Sequence, residues 1–413
     1  MVILLILAIQ LFYLFRETQF NKSCGFIIFS SLAWNIGWLI ILQLELSATG
    51  TSTYGSDETA YFNTMLQAYD SENWYEIVKN DFNFTYVLYG TLIFKTNIFD
   101  PSVFFVRLGN VLLLINMLMF VYLILTKTFL IKSKTVYYGL LFIGFNGIIT
   151  WTAIRNLKDV MFVYFLVLFI YILLELFLHK RWSIIRIIGL ALSWFVLEDI
   201  RQWFPYMAIA SIALIIFVTL VKNKRFFFAS VLMGGIVVAS VPLFQKGLST
   251  LLVYTVNYSE AYDGGNITNL NNISFLSLPF SMGRFILGPG PIRGMFGSDS
   301  FLTYTTTGNL LITLGGLVWW AVLPLFLMAL MSFRNIKKMY LVLFILLFYW
   351  ATYSYAYAGS GDTRLRGVLY VLCAIYTIPY LVNQFKKRMI PLYVLSFIAI
   401  VLVGSYFSYI SLA

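Results

Sequence analysis

The chain has 413 residues, of which 61% are hydrophobic and only 11% are charged, and its formal net charge is +11 at pH 7. So few polar side chains cannot cover the surface of a water-soluble domain, and the composition therefore excludes a soluble globular protein. Apolar runs long enough to cross roughly 30 Å of hydrocarbon as a helix recur from one end of the chain to the other. The composition predicts an all-α polytopic membrane protein.

Twelve apolar segments are predicted to span the membrane. In chain order they are 1–15, 24–43, 102–126, 135–154, 160–178, 184–200, 205–221, 226–245, 308–332, 339–358, 367–384 and 390–411. Two connections are long, outer loop 1 at about 44–101 and outer loop 2 at about 246–307, and the others are short. Because no repeat or linker divides the chain, we expect a single integral membrane domain over residues 1–413.

Charge is distributed unevenly between the two sides of this predicted topology. Six short turns hold 17 of the 28 Lys and Arg residues, and the opposite side holds 15 of the 17 acids. These basic turns begin at Arg16, Lys127, His179, Lys222, Arg334 and Lys386. The positive-inside rule places them in the cytoplasm and the two long loops outside. The net positive charge then lies beside the inner leaflet and gives no indication of nucleic-acid binding.

Outer loop 1 contains two adjacent acids, Asp57 and Glu58, shortly after the second predicted span. Ser56 is predicted to cap a helix that runs to about Val78, with both acids in the first turn, where backbone N–H groups favour ionised carboxylates. An ionised carboxylate at the membrane surface can serve as a general base, or hold a metal, for a substrate dissolved in lipid. Acids are also common at helix starts without any catalytic role, and that interpretation stays open.

A second group, Arg155, Lys158 and Asp159, lies between the fourth and fifth spans on the outer side. If this stretch is helical, Arg155 and Lys158 share a face at spacing i, i+3 and can hold a phosphate, with Asp159 beside them as an orienting partner. The alternative is a solvated turn with an internal salt bridge.

Arg201 follows Glu198 and Asp199 at the outer end of the sixth predicted span. A charged triplet at that depth should be paired or should face substrate, because an unpaired charge at the hydrocarbon boundary is costly. Pairing of Glu198 with Arg201 is the alternative to substrate binding.

Four more arginines are candidates on the outer side. Arg364 and Arg366 precede the eleventh span, and in an extended segment both would point the same way and could clamp a diphosphate. Arg284 and Arg293 flank an apolar stretch rich in Gly and Pro, suited to lie in the interface beside a lipid chain, and are secondary candidates.

Together these features resemble the GT-C superfamily of membrane glycosyltransferases, which use lipid-linked sugar donors on the exoplasmic side. The shared features are the acidic motif Asp57-Glu58 in the first long outer loop, Tyr61 after it, many spanning helices, and basic residues at later outer helix ends. The run 155–159 and the arginines before the eleventh span are similar to elements of bacterial polysaccharide-assembly members, including oligosaccharide repeat-unit polymerases. In the family the acidic loop usually follows the first span, whereas here an additional helix precedes it.

The resemblance implies a glycosyltransferase of the bacterial inner membrane, acting in surface polysaccharide assembly. Its partners would be a polyprenyl-linked sugar donor, such as an undecaprenyl phosphate sugar, and a glycan or lipid-linked acceptor. The role of base or metal ligand falls to Asp57 first and to Glu58 second. A divalent cation, Mg²⁺ or Mn²⁺, is left open, because two adjacent carboxylates rarely complete a coordination shell. The residues expected to hold the donor phosphate are Arg155, Lys158, Arg201, Arg364 and Arg366.

Two alternatives stay open. A repeat-unit polymerase would transfer a whole glycan between two diphosphate-linked lipids and would need two anion sites, for which the chain has enough arginines. A flippase of lipid-linked oligosaccharide would place charges midway through its spans, lining a cavity. The clustering of charges near predicted outer helix ends favours a transferase over a flippase.

Overall fold

The structure is a computed structural model that describes residues 2–17, 22–131, 133–222, 278–288, 306–332, 339–356 and 363–410, with the single residues 224, 228 and 291. Within these ranges all regular structure is helical, as the composition predicts. In chain order the α-helices are α1 Val2–Glu17, α2 Lys22–Ala48, α3 Gly55–Asp70, α4 Trp74–Lys79, α5 Phe84–Lys95, α6 Val103–Leu123, α7 Ser133–Phe145, α8 Gly147–Ala153, α9 Asp159–Phe177, α10 Ile184–Ile200, α11 Phe204–Lys222, α12 Leu278–Leu287, α13 Thr306–Met331, α14 Tyr340–Ala356, α15 Thr363–Asn383 and α16 Ile390–Ile410.

Seven helical stretches in the described ranges are long and apolar enough to cross a membrane. They are Lys22–Ala48, Val103–Thr128, Asp159–Phe177, Phe204–Lys222, Thr306–Met331, Leu365–Val382 and Lys387–Tyr406. The bent pair α7 and α8 adds an eighth if it forms one span, and α1 and α14 are shorter apolar helices. The chain is therefore a multi-pass helical membrane protein. The count of twelve stays a prediction, and the predicted span 226–245 lies outside the described residues apart from Phe228.

The helix pair α7 and α8 is bent by 53° at Asn146. The Asn146 side chain accepts hydrogen bonds from the backbone N–H groups of Ile148 and Ile149, at 3.0 and 3.3 Å, and so caps the start of α8. On the other side of the bend, Ser31 donates its hydroxyl to the Gly144 carbonyl at 2.9 Å. A broken helix inside a membrane needs such partners because lipid offers none. The bend sets the direction of α8, which ends just before Arg155.

Outer loop 1 folds as three short helices, α3, α4 and α5. Met65 and Ala68 of α3 and Val78 of α4 are fully buried, and α3 packs against both other helices. The prediction that Ser56 caps α3 is wrong, because the helix already begins at Gly55 and Tyr54 holds the cap position. Gly55 has φ +78°, a left-handed conformation that glycine adopts most readily. The predicted stretch to Val78 is divided, since α3 ends at Asp70 and α4 begins only at Trp74.

Contacts between helix termini identify one end of the molecule as the place where several connections meet. Glu45, near the end of α2, accepts hydrogen bonds from the backbone N–H groups of Thr306 and Thr307 at the start of α13, at 2.6 and 3.1 Å. Asp199, near the end of α10, accepts one from the N–H of Thr85 at the start of α5, at 2.7 Å. The same end carries the charged residues described next.

Candidate functional site

The centre of the site is Glu58, a fully buried carboxylate held between two arginines. Arg107 Nη2 donates to Glu58 Oε2 at 2.7 Å, and Arg155 Nε donates to Glu58 Oε1 at 2.5 Å. The side chain of Arg107 is fully buried and that of Arg155 is 12% exposed. Arg107 also donates to Gln43 Oε1 at 3.2 Å. One carboxylate therefore joins α3, the start of α6 and the loop after α8, and the three ionised groups sum to a charge of +1.

Arg155 also packs against the segment that leads into α3. Its Nη2 donates to the Tyr54 carbonyl at 3.1 Å, and its guanidinium lies over the rings of Tyr54 and Trp151, at 4.8 and 5.2 Å from the centroids. Such cation–π contacts suit a planar guanidinium. Arg155 is thus fixed beside the first turn of α3, which carries Asp57 in a half-buried position.

A buried amide network holds the loop that presents Arg155. Asn110 Nδ2 donates to the carbonyls of Arg155 and Leu157, at 2.9 and 3.2 Å, and to the hydroxyl of Tyr86 at 3.2 Å. Tyr86 donates in turn to Asn156 Oδ1 at 2.7 Å, and Asn156 Nδ2 donates to the Glu58 carbonyl at 3.3 Å. Hydrogen bonds between buried polar groups are strengthened by the low local dielectric. The loop 154–158 is therefore held to α3, α5 and α6.

The expectation that Arg155 and Lys158 share a helical face is wrong. Residues 154–158 form a turn between α8 and α9, and the two side chains leave it toward different partners. Lys158 is buried, donates to Asn83 Oδ1 and lies near the ring of Phe82. Asp159 begins α9, and its carboxylate accepts a hydrogen bond from Arg201.

Arg201 Nη2 donates to Asp159 Oδ1 at 2.5 Å, and both side chains are buried. This pair joins the end of α10 to the start of α9. The alternative interpretation of the 198–201 triplet, an internal pairing of Glu198 with Arg201, is therefore wrong. Glu198 is exposed, and Asp199 binds α5. We call the group Glu58, Arg107, Arg155, Asp159 and Arg201 the polar end.

Arg366 is linked to the polar end through aromatic rings. Its Nε donates to the Phe285 carbonyl at 2.9 Å, and its guanidinium lies 5.4 Å from the Phe285 ring centroid. Phe285 stacks on Tyr353 at 6.3 Å, and the Arg201 guanidinium lies 5.8 Å from the Tyr353 ring. Arg366 therefore supports the last turn of α12, where a cation also complements the helix dipole.

The expected clamp of Arg364 and Arg366 in an extended segment is wrong, because both residues lie in the first turn of the helix α15. Residues two apart on a helix point in different directions. The Arg364 side chain and the whole of Arg293 lie outside the described residues. Arg284 is half-buried in the last turn of α12.

We expect Arg366→Ala to lower the free energy of unfolding by about 1–3 kcal/mol, because the buried Phe285 carbonyl would lose its donor. Thermal unfolding of the purified protein in detergent measures this effect. Arg388→Ala, in an exposed turn, is the control and should leave stability unchanged. Equal stability of both variants would remove the proposed structural role of Arg366.

Arg107 is a site residue that the sequence interpretation did not single out. It lies within the predicted span 102–126, where it is the one charged residue in an apolar run. A charge inside a span is costly and therefore needs a partner or a function. That rule, applied to Arg107, would have identified it as a partner for an acid of outer loop 1.

The pKa of Glu58 is shifted by two opposing causes. Burial raises it, but the charges of Arg155 and Arg107 and their hydrogen bonds outweigh burial and bring the pKa below its ordinary value of 4.5. Glu58 is thus ionised at neutral pH with both oxygens occupied. A carboxylate in that state is a poor proton acceptor and a poor metal ligand.

The lowered pKa of Glu58 predicts a specific pH dependence of stability. In the unfolded chain Glu58 binds a proton near its ordinary pKa of 4.5, whereas in the folded chain it stays ionised to lower pH. The ionised Glu58 therefore stabilises the folded chain fully above pH 4.5, and this effect is lost as the pH falls through the folded-state pKa. The stability difference between wild type and Glu58→Gln, measured by thermal unfolding, should be large at neutral pH and shrink below pH 4.5. A difference independent of pH would contradict the paired arrangement.

A divalent cation does not fit the side chains around Glu58. Among the described residues there is no group of three or more His, Cys, Asp or Glu side chains that could hold a metal ion. Both Glu58 oxygens already accept from guanidinium groups.

Comparison with known proteins gives no match: no protein-family model, no curated protein and no solved structure is similar to this chain. The fold by itself defines the class of the chain, which is a multi-pass helical membrane protein. Its particular function must be argued from the site.

Proposed function

We propose that this protein is a membrane glycosyltransferase that transfers a sugar from a polyprenyl-phosphate-linked donor on the extracytoplasmic side of a bacterial inner membrane. The observation that carries the proposal is the polar end, where Glu58 pairs with Arg107 and Arg155, and Asp159 at the start of α9 pairs with Arg201 just after α10. A polyprenyl phosphate sugar has its chain in the bilayer and its anion at the surface. A cationic group at one end of a helical bundle is suited to that anion.

The proposal gives the residues separate roles. Arg155, with 12% of its side chain exposed, is the guanidinium we assign to the leaving phosphate, whose developing charge it would stabilise. Glu58, which is itself paired with Arg107, holds Arg155 in place. Asp57 is the general base that takes the proton from the acceptor hydroxyl, because the neighbouring Glu58 has both oxygens in ion pairs.

Lys158 and Arg201 are two further cations that we assign to the donor phosphate. Both are engaged in the described arrangement, Lys158 with Asn83 and Arg201 with Asp159. On this proposal donor binding must exchange at least one of these contacts for a phosphate contact. The contact we expect to exchange is that of Lys158 with Asn83, because a charged phosphate oxygen makes a stronger hydrogen bond than the neutral Asn83 amide.

Transfer by the purified protein tests the proposal directly. Liposomes containing the protein are given a polyprenyl phosphate sugar and a panel of glycan acceptors, and release of polyprenyl phosphate is measured. A second set carries diphosphate-linked oligosaccharide donors. Release from the monophosphate donor supports a sugar transferase, and release only from the diphosphate donor supports the alternative of a repeat-unit polymerase. Absence of release from either donor, with a folded protein and all acceptors, would contradict the proposal.

A further inference from the structure

The turn between α9 and α10, at the end of these helices opposite Asp159 and Arg201, contains a second charged group. Glu175, in the last turn of α9, is 2% exposed and has three basic groups around it. Arg186 Nη2 lies 3.5 Å, Arg181 Nη1 3.7 Å and His179 Nε2 3.9 Å from its oxygens. With Lys180 counted and His179 neutral, residues 175–186 carry one negative and three positive charges.

The distances from Glu175 to its basic neighbours are longer than the arginine–carboxylate distances at the polar end. Arginine–carboxylate contacts there measure 2.5–2.7 Å, the range of strong charge-assisted hydrogen bonds. None of the three basic side chains lies closer than 3.5 Å to the Glu175 carboxylate. The carboxylate thus attracts the guanidinium groups of Arg181 and Arg186 without saturating their donors, and it neutralises only part of their charge.

The backbone conformation of the turn brings Arg181 and Arg186 close together. Lys180 adopts a left-handed φ of 51°, which reverses the chain after α9. The Arg181 N–H then donates to the Glu175 carbonyl at 3.2 Å, and Arg186 Nη1 donates to the Arg181 carbonyl at 2.6 Å. Arg181 and Arg186 therefore lie together at the level of the turn.

Exposed apolar side chains adjoin this cationic group. Trp182 is 63% exposed and meets Phe177 edge to face at 6.4 Å, and Ile184 and Ile185 at the start of α10 are exposed as well. In a membrane protein such side chains face lipid, and tryptophan is enriched at headgroup depth. If Arg181 and Arg186 bind the anionic group of an amphipathic molecule, its apolar part would lie directly over these residues.

We infer that the α9–α10 turn binds the phosphate of an anionic phospholipid, with the acyl chains beside Trp182 and α10. The net charge of +2 favours an anion, and the adjoining apolar surface favours a lipid over a small soluble phosphate. On the orientation predicted from the basic turns, the lipid belongs to the inner leaflet. The inference does not depend on the proposed glycosyltransferase function.

Brominated lipids test the inference, since bromine quenches nearby tryptophan fluorescence. The full-length protein is placed in phosphatidylcholine vesicles that contain either brominated phosphatidylglycerol or brominated phosphatidylcholine, and the Trp182 signal is obtained by difference from Trp182→Phe. We expect phosphatidylglycerol to quench Trp182 more strongly. The Arg181 side chain is 62% exposed, so Arg181→Gln should fold normally. It should lower the local phosphatidylglycerol enrichment about fivefold, and Arg181→Gln/Arg186→Gln should lower it further.

Two further variants sharpen the test. Glu175→Gln should increase the enrichment, because it removes the acid that competes with phosphate for the arginines. Lys387→Gln/Arg388→Gln, in another basic turn, should leave it unchanged. Equal quenching by the two lipids, or undiminished enrichment in the double arginine variant, would overturn the inference. Loss of the enrichment on addition of millimolar inorganic phosphate would do so too, because the site would then accept a small phosphate.

Discussion

Replacement of Asp57 by Asn is expected to reduce the rate of sugar transfer by about 100- to 10,000-fold, the usual contribution of a general base. Asn has nearly the same shape as Asp, so the first turn of α3 should be preserved. The asparagine amide cannot take a proton from an acceptor hydroxyl at neutral pH. The measurement is the initial rate of polyprenyl phosphate release by purified protein in liposomes, together with its melting temperature.

The matched control for this variant is Asp70→Asn, which makes the same change at the exposed last residue of the same helix. Asp70→Asn should transfer sugar at the wild-type rate. If Asp57→Asn retains full transfer activity while folded, the assignment of Asp57 as base is wrong. Loss of activity together with a lower melting temperature would assign Asp57 a structural role instead.

Replacement of Glu58 by Gln is expected to destabilise the protein by about 3–5 kcal/mol, because it leaves the buried guanidinium of Arg107 without its counter-charge. The effect is large because the Arg107 side chain is fully buried. Arg155 contributes less, because its side chain retains some contact with solvent. Thermal unfolding in detergent at neutral pH measures it. The control is Glu76→Gln, whose ion pair with Lys79 is exposed and should be worth less than about 1 kcal/mol.

A double variant separates loss of the pair from a general effect of the substitution. Adding Arg107→Met to Glu58→Gln removes the stranded charge as well, so the double variant should be more stable than Glu58→Gln alone. Additive destabilisation by the two changes would show that Glu58 and Arg107 do not act as a pair.

Much of the fold could be predicted from the sequence, because membrane spans are encoded locally by length and hydropathy. The predicted segments 24–43, 102–126, 160–178, 205–221, 308–332, 367–384 and 390–411 each correspond to a helix able to span a membrane. The bend at Asn146 was not predicted, since the whole segment 135–154 is apolar. It depends on tertiary partners, the Ser31 hydroxyl and the close approach of α13, where a Cβ on Gly147 would lie 1.9 Å from the Leu311 carbonyl.

The candidate site was predictable only in part. Burial of Asp57 and Glu58 cannot be judged from two adjacent letters, because it depends on which of them faces α6 and the 154–158 turn. The spacing of Arg155 and Lys158 suggests a shared face only if the chain is helical there, and the turn between α8 and α9 separates them. The partners Glu58–Arg107 and Asp159–Arg201 lie 49 and 42 residues apart, and no local pattern specifies such pairs.

The central claim is that the polar end supports sugar transfer at the outer membrane surface, and vesicles of known sidedness test it most directly. Right-side-out and inverted vesicles containing the protein are supplied with a polyprenyl phosphate sugar labelled in both the sugar and the phosphate. We predict that the two labels separate only when acceptor is present on the extracytoplasmic side, and that Asp57→Asn prevents this. Movement of the intact doubly labelled lipid across the bilayer, at equal rates in wild type and Asp57→Asn, would contradict the claim and would indicate a flippase.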